Sequence, residues 1–321
     1  MERITETKTV LEHDAERSER ARRMIEDLLV KRFVVLERAM SLELIERKLS
    51  VDRQLFSLPD LEAYRAENIN DSGFRPEGKE YATAGRPPDK KRMWQTFRER
   101  DAFNVNGIEF PRNKWPSVDG FKERTLEVYG EYERIAFEVL SLLEMGLGLP
   151  DRALQSLAYD GNSMLRTNYY PPESELEPNA YGLGRNIAHT DVNLLTLMHA
   201  PTTGGFEIFT EERGWEAVET KPGDVVLITG KMLLVLTGGY LRPAWHRVVD
   251  GPGERFSLPF FLHPKPWDMI APFQKFLANN ESDLPPALTA TEFLEGIRED
   301  KQGLRAWVKR HSDVPPERKN G

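Results

Sequence analysis

The chain contains no cysteine, which excludes disulfides, thiolate metal sites and thiol nucleophiles and favours an intracellular, cytoplasmic setting. It has no apolar run of membrane-spanning length, and Met1 to Glu19 is charged where a secretory signal needs an apolar core. No internal repeat of solenoid type is present. Basic residues are not in excess either: 44 Lys and Arg face 52 Asp and Glu, a net charge of −8, which argues against a nucleic-acid partner. Neither a membrane nor a nucleic acid is therefore expected as a partner. The oligomeric state is not encoded in any pattern of this kind. Histidine is scarce, with six in 321 residues, so the placement of each carries information. What the chain does have is a 39% apolar content, enough to bury the core of one domain.

The apolar pattern changes character along the chain. Up to about residue 150 it is helical. Ala21, Met24, Ile25, Leu28 and Leu29 recur at helical spacing within 12–29, and Phe33 to Leu36 reads as a short strand. Ser41 is a helix cap for a segment running to about Leu55, although Leu44 stands where a full capping box requires Glu or Gln. The polar, Gly- and Pro-rich stretch Asn68 to Asp101 reads as a long excursion with little regular structure, either a functional loop or a solvated insertion. Its basic residues Arg86, Lys90, Lys91 and Arg92 are expected on a solvated face, with an acidic substrate as the other reading. Lys122 to Leu147 carries the broadest apolar stripe, and Gly146 and Gly148 are expected to stop that helix. From Leu157 the pattern becomes short β-rich runs separated by turns, at Leu194–Met198, Phe206–Thr210, Trp215–Val218, Val225–Ile228 and Trp245–Val249, ending near Leu262. Such a series indicates a sandwich or jelly roll. Thr289-Ala290-Thr291-Glu292 is a capping box opening a helix to about Ile297, and the residues beyond Trp307 are expected to be loose.

Within the β-rich half, Asn186-Ile187-Ala188-His189-Thr190-Asp191 places a histidine and a carboxylate at i and i+2 of a strand, on one face, and His246 follows 55 positions later. Two histidines and a carboxylate cover one face of an octahedral ion and leave the other open, the ligand set of non-haem iron oxygenases. His-X-Asp alone is a weak pattern, and an isolated His246 is also compatible with a surface or satisfied core histidine. Nine residues on, Arg255-Phe256-Ser257 begins an apolar run, with Arg255 and Ser257 on one face. A buried guanidinium beside a hydroxyl suits a carboxylate such as the distal one of 2-oxoglutarate, while pairing with an internal Asp or Glu is the alternative. In Leu165-Arg166-Thr167-Asn168-Tyr169-Tyr170, ended by Pro171-Pro172, the residues Arg166, Asn168 and Tyr170 alternate onto one face.

With these motifs in place the chain resembles the iron(II)- and 2-oxoglutarate-dependent oxygenases of the isopenicillin N synthase type over roughly residues 25 to 300. Arg32 to Glu37, Gln54 to Pro59, Ser72 to Glu80, Asn113-Lys114-Trp115-Pro116 and Met145 to Pro150 fall in the family's order. They are followed by Asn168-Tyr169-Tyr170-Pro171, His189-Thr190-Asp191, Gly204-Gly205, Pro222-Gly223-Asp224, His246-Arg247-Val248 and Arg255-Phe256-Ser257. The resemblance implies a mainly β fold with flanking helices and a double-stranded β-helix, or jelly-roll, core. It implies one oxygenase domain over 1–321: a helical region about 1–150, a core about 157–265, and a C-terminal helix and tail about 266–321. It implies His189, Asp191 and His246 as iron ligands, Arg255 and Ser257 as the seat of the distal carboxylate of 2-oxoglutarate, and Asn168 and Tyr170 as further contacts to that cosubstrate. Arg166, Phe261 and His263 become substrate-pocket candidates, against core packing for Phe261 and a hydrogen-bonded strand end for His263. The implied cofactors are Fe(II), 2-oxoglutarate and O2, with no catalytic residue beyond the metal ligands. The implied reaction is hydroxylation, desaturation or ring formation on a small organic molecule, with release of succinate and CO2. An oxidase of the same family that does without 2-oxoglutarate and a non-catalytic binding protein are the alternatives.

Overall fold

The computed structural model describes residues 2–77, 91–172, 185–249, 251, 253–277, 283–299 and 303–315, with the side chains of 2–13 and 298–299 excepted. Helix α1 (Glu2–Val30) buries Ala21, Met24, Ile25 and Leu28, one helical stripe. After β1 (Phe33–Leu36), helix α2 (Leu42–Phe56) starts at Ser41, whose hydroxyl accepts from the Leu44 amide at 3.4 Å. Strands β2 (Gly73–Arg75) and β3 (Arg92–Phe97) follow, then a hairpin of β4 (Phe103–Val105) and β5 (Ile108–Phe110). Asn106 and Gly107 turn that hairpin with φ of 52° and 86°, the left-handed geometry that an Asn-Gly pair supplies.

The long helix α3 (Phe121–Leu147) ends at Gly148, left-handed at φ 60°. Gly146 plays a different part from the expected stop. It lies inside the helix, and a Cβ there would come within 2.8 Å of the Ala21 carbonyl oxygen, so the missing side chain is what lets α1 pack against α3. A short α4 (Ala153–Ala158) leads into the strand-rich half. There β6 (Met164–Tyr170), β7 (Asn186–His189), β8 (Leu195–His199), β9 (Phe206–Thr210), β10 (Gly214–Ala217) and β11 (Val225–Thr229) precede the buried helix α5 (Lys231–Leu236). Then come β12 (Trp245–Val248), β13 (Arg255–Ser257), β14 (Pro259–Leu262), the small pair β15 (Met269–Ile270) and β16 (Leu288–Thr289), and helices α6 (Ala290–Glu299) and α7 (Leu304–Arg310).

Besides the two small pairs, β4 with β5 and β15 with β16, the described strands form two antiparallel sheets. The larger runs β1-β11-β8-β14-β6-β3-β2, with β13 also on β6; the smaller runs β10-β9-β12-β7. Alternation along each strand sorts the side chains to two faces. From the larger sheet Leu195, Leu197, Val225, Leu227, Phe256 and Phe260 join the core made with α1 and α3. The opposite residues Tyr170, Met198, Val226 and Ile228 pack against Phe206, Ile208 and Val248 of the smaller sheet. The two sheets thus face one another as the expected jelly roll, with helices covering the outer face of the larger one.

Three expectations are corrected. The Asn68 to Asp101 stretch contains β2 and β3, and β3 pairs with β6 from Arg92↔Tyr169 to Phe97↔Met164, so it is an inner strand of the main sheet. The run after Arg255 is two strands, β13 and β14, interrupted at Leu258. The chain beyond Trp307 is packed through residue 315: Asp313 is 1% exposed and pairs with Arg32 and Arg242, while residues 316–321 lie outside the described residues. The Thr289 capping box is present in both directions, with the Thr289 amide donating to Glu292 Oε2 at 2.8 Å and the Glu292 amide to Thr289 Oγ1 at 3.3 Å.

Behind β6, α2 contributes a fully buried ion pair. Lys48 donates to Asp52, the Thr167 hydroxyl also donates to Asp52 at 3.2 Å, and the ammonium lies 4.5 Å from the centroid of the Phe121 ring. Among the described residues no helix is long and apolar enough to cross a membrane.

Candidate active site

His189 closes β7 and His246 lies in β12, directly opposite it in the strand register, with ring centroids 4.2 Å apart. Asp191 sits two residues past His189 and just beyond the end of the strand. Asp191 Oδ1 is 3.7 Å from His189 Nε2 and 3.8 Å from His246 Nε2, and the three ligand atoms all lie within 4.8 Å of one another. Each ring is oriented by its other nitrogen: Nδ1 of His189 is 2.7 Å from the Ile187 carbonyl and Nδ1 of His246 is 3.0 Å from that of Ala244. A carbonyl can only accept, so the Nδ1 atoms carry the protons and both Nε2 lone pairs point at the common centre.

The carboxylate is held as firmly. Thr196 Oγ1 donates to Asp191 Oδ2 at 2.6 Å, and Asn193 Nδ2 donates to Thr196 Oγ1 at 3.0 Å. The loop that carries Asp191 is fastened at the start of α5, where the otherwise unpaired amides of Lys231 and Met232 donate to the carbonyls of Asp191 at 2.9 Å and Val192 at 3.1 Å. Burial alone would raise the Asp191 pKa, but His246, His189, the Thr196 hydroxyl and Lys231 outweigh it and hold the carboxyl below its ordinary value. Burial in turn pushes Lys231 down to about 8, against the pull of Asp191. Two neutral imidazoles and one ionised carboxylate on a concave wall form a donor set suited to a ferrous ion.

Next to this trio, β6 and β13 pair Arg255 with Tyr170 and Ser257 with Asn168. Arg255 is 1% exposed, its Nε donates to the Gly204 carbonyl at 3.2 Å, and its guanidinium carbon stands 5.0 Å from the centroid of the Tyr170 ring. Neither Nη atom has a hydrogen-bond partner among the described residues, and the Asn168 Oδ1 atom is unpartnered too. Asn168 Nδ2 donates to Ser257 Oγ at 3.3 Å. Burial, reinforced by Arg185, lowers the Arg255 pKa while Tyr170 opposes it. A guanidinium in this position calls for an anion, and that observation fits the distal carboxylate of 2-oxoglutarate.

A cavity of about 720 Å³ unites these features. It is bounded by His189, Asp191 and His246, by Asn168, Tyr170 and Ser257, and by the three substrate-pocket candidates Arg166, Phe261 and His263. Arg255 is set back from the lining, at the far end of β13 from Pro259. The break at Leu258 leaves the i, i+2 alternation from Ser257 through Pro259 and Phe261 to His263 intact. Burial, with help from Arg166, pushes His263 down to about 4, against Asp191, so its ring is neutral near pH 7. Sequence reasoning missed several parts of this wall. Lys91, expected on a solvated face, is 5% exposed and donates to Asn186 Oδ1 at 3.3 Å; Arg86 and Lys90 lie outside the described residues. Thr196 was detectable as the polar residue in the apolar run Leu194–Met198. Lys231, and Leu294, Ile297 and Arg305 from the C-terminal helices, left no local signal.

A jelly roll that sets two histidines and a carboxylate on one wall of a deep cavity defines a mononuclear non-haem iron enzyme. Residues 161–264 match the model of the 2OG-Fe(II) oxygenase superfamily. The chain is 26% identical over 280 residues to a 2-oxoglutarate-Fe(II) type oxidoreductase of Aspergillus fumigatus, covering 83% of this chain and 82% of that one. It is 28% identical over 279 residues to gibberellin 3-beta-dioxygenase 4 of Arabidopsis thaliana, covering 82% and 74%. A crystal structure of a 2OG-Fe(II) oxygenase family protein from Caulobacter crescentus superposes with a TM-score of 0.76 at 28% identity, over 90% of this chain and 96% of that one. These likenesses together with the His189, Asp191 and His246 cluster mark an iron(II)- and 2-oxoglutarate-dependent dioxygenase with O2 as its oxidant.

Proposed function

We propose that His189, Asp191 and His246 hold the ferrous ion, that Arg255 and Ser257 receive the distal carboxylate of 2-oxoglutarate, and that Asn168 and Tyr170 help to seat that cosubstrate. The observation that carries this assignment is the buried Arg255 guanidinium, whose two terminal nitrogens have no partner among the described residues. Ferrous iron, 2-oxoglutarate and O2 together supply the oxidising power, with succinate and CO2 as co-products. The protein's own residues do the rest. The Nδ1 bonds to backbone carbonyls fix both imidazole tautomers, Thr196 fixes the Asp191 rotamer, and the apolar walls of Met198, Phe206, Ile228 and Val248 keep bulk water from the reacting centre.

In this reading Arg166, Phe261 and His263 face a small organic substrate, and the chain works as a single isopenicillin N synthase-like oxygenase domain in the cytoplasm. No nucleic acid or membrane takes part. The net charge of −8 supports the first of these exclusions, and the small organic molecules named for the gibberellin and feruloyl CoA relatives support the substrate class.

The test is an anaerobic titration of metal-free protein with Fe(II) and then 2-oxoglutarate, read by the weak visible charge-transfer band of a chelated keto acid. The band is expected in the wild type and is expected to require far more 2-oxoglutarate in an Arg255 variant. Iron binding without a band would turn the reading to an oxidase that does without 2-oxoglutarate. A protein that takes up no iron would refute it.

A further inference from the structure

We propose that the substrate is an elongated molecule whose apolar arm ends in a group the size of a phenyl ring, and that Phe97, Ile108, Phe110 and Leu294 seat this group in an annex of the cavity. This rests on reading the cavity as the oxygenase site and deepens it by naming the shape and chemistry of what that site accepts. The annex is a space of about 180 Å³. It shares Ile69, Met164, Arg166, His263 and Leu294 with the main cavity, so the two adjoin at these side chains. Met164, unbranched and adaptable, stands at the junction.

The register of the larger sheet lays a row of side chains from the metal trio to this annex. Thr196, whose hydroxyl holds Asp191, stands opposite Phe261, Phe261 opposite Met164, and Met164 opposite Phe97. Residues directly opposite one another in antiparallel strands project to the same face, and Thr196, Phe261 and Met164 all line the cavity. At ~4.8 Å per strand the row spans roughly 14 Å from Thr196 to Phe97. A molecule whose reacting carbon lies at the iron site therefore fills the annex only if it is about 10 Å long and runs past Phe261 and Met164. The cosubstrate is placed elsewhere, because Met164 opens β6 and Asn168 lies four residues on, roughly 13 Å at ~3.3 Å per residue.

The hairpin explains why the annex is apolar. Ile108 and Phe110 stand at i and i+2 of β5 and share the face turned to the annex, while Glu109 between them is exposed. The Phe110 ring stacks on Phe103 with centroids 4.6 Å apart, and Phe103 meets Trp267 edge-on at 6.3 Å, which fastens the hairpin to the segment after β14. Pro264, Pro266 and Leu294 add further carbon to the wall. Its polar groups are engaged: the Thr291 hydroxyl donates to the Pro266 carbonyl at 2.9 Å, and Arg166 Nη2 donates to Gln95 Oε1 at 3.1 Å. Arg166 and Glu295 are the one cation and the one acid among the described lining residues, so the wall carries no excess charge to draw an ionic terminus. An apolar protein cavity of about 150 Å³ takes up benzene, and the annex is of that size.

The test uses protein loaded anaerobically with Fe(II) and saturating 2-oxoglutarate, and follows its thermal midpoint over concentration series of 4-phenylbutan-1-ol and of butan-1-ol, which lacks the ring. The ring is expected to tighten binding about 10- to 100-fold, the worth of one buried phenyl group. Ile108→Trp fills the annex from the hairpin and is expected to remove that gain, so that the two alcohols act within a few-fold of one another. Should that variant fail to fold, Leu294→Trp fills the annex from α6 and is expected to do the same. No gain from the ring, or a gain that survives once the annex is filled, would overturn the proposal. If 2-oxoglutarate itself gives no shift in the presence of Fe(II), it is the oxygenase reading of the site that has failed.

Discussion

Replacing Arg255 with methionine separates two effects that usually move together. In the protein without cosubstrate, Arg255 is a buried cation with two terminal nitrogens that no described residue satisfies. Each such orphaned donor costs about 1–3 kcal/mol. Against this stand the Nε bond to Gly204, of the class worth about 0.5–1.5 kcal/mol, and the ring-face contact with Tyr170, worth up to about 2. The Gly204 carbonyl belongs to an exposed residue and can turn to water once Arg255 is gone. Methionine has similar length and no polar group to bury, so the metal-free, cosubstrate-free Arg255→Met protein is expected to be about 1–2 kcal/mol more stable than wild type.

Cosubstrate binding should move the opposite way. Bringing a carboxylate to a site whose cation has been removed costs about 3–5 kcal/mol, a factor of roughly 150 to 5,000 in Kd. Ser257 and Asn168 remain opposite one another to accept part of the load, which places the expectation at the lower end of that range. Urea denaturation of the apo-protein gives the first quantity, and anaerobic calorimetry with Fe(II) present gives the second. A variant that is less stable than wild type and binds 2-oxoglutarate within a few-fold of it would show that Arg255 is a structural cation paired by something other than the cosubstrate.

Thr196→Val keeps the side-chain shape and deletes the 2.6 Å bond to Asp191, so metal affinity measured against a competing chelator should fall about 10- to 100-fold with little change in stability; an unchanged affinity would mean that Asp191 needs no such support. Lys48→Met strands the buried Asp52 carboxylate and should cost about 3–5 kcal/mol in urea denaturation, whereas Lys48→Met/Asp52→Leu should recover most of it; a double variant as unstable as the single would assign the loss to packing. Asp313 adds a pH dependence. Burial raises its pKa, but the hydrogen bonds from Arg32 and Arg242 prevail and hold it below the ordinary 3.8. A carboxyl depressed on folding stabilises fully above its unfolded value and loses that contribution as pH falls through its folded value. Asp313→Asn should therefore lower stability by about 1–3 kcal/mol near neutral pH, discounted because Arg242 is partly exposed, and the gap should close below pH 3.8; a gap that persists in acid would point to a lost shape rather than a lost charge.

The metal-ligand candidates were legible because strand periodicity is local. His189 and Asp191 needed only their two-residue spacing, even though Asp191 falls just past the strand, and Arg166, Asn168 and Tyr170 needed only alternation along β6. β3 was hidden for the complementary reason. Met93, Trp94, Gln95 and Thr96 are all buried, so the strand shows no alternation, and its flanks are charged and proline-rich. Lys91 looked solvent-facing because its neighbours in the sequence are polar, and its burial depends on Asn186, far away along the chain. Helix α6 was visible as a capped, amphipathic segment. That its apolar residues Leu294 and Ile297 would close over the cavity depends on tertiary packing, which no local pattern records.

The cavity is assembled from two kinds of sequence. The residues proposed to hold iron and cosubstrate lie between Asn168 and Ser257, inside the stretch that matches the superfamily model, while Ile69, Lys91, Leu294, Ile297 and Arg305 reach the cavity from outside that stretch on both sides. The substrate-facing wall is therefore a composite, with Arg166, Phe261 and His263 inside that stretch and Ile69, Leu294 and Ile297 outside it. Exchanging α6 and α7 for those of a relative would reshape the part of the wall made by Leu294, Ile297 and Arg305 and leave the His189, Asp191 and His246 cluster in place.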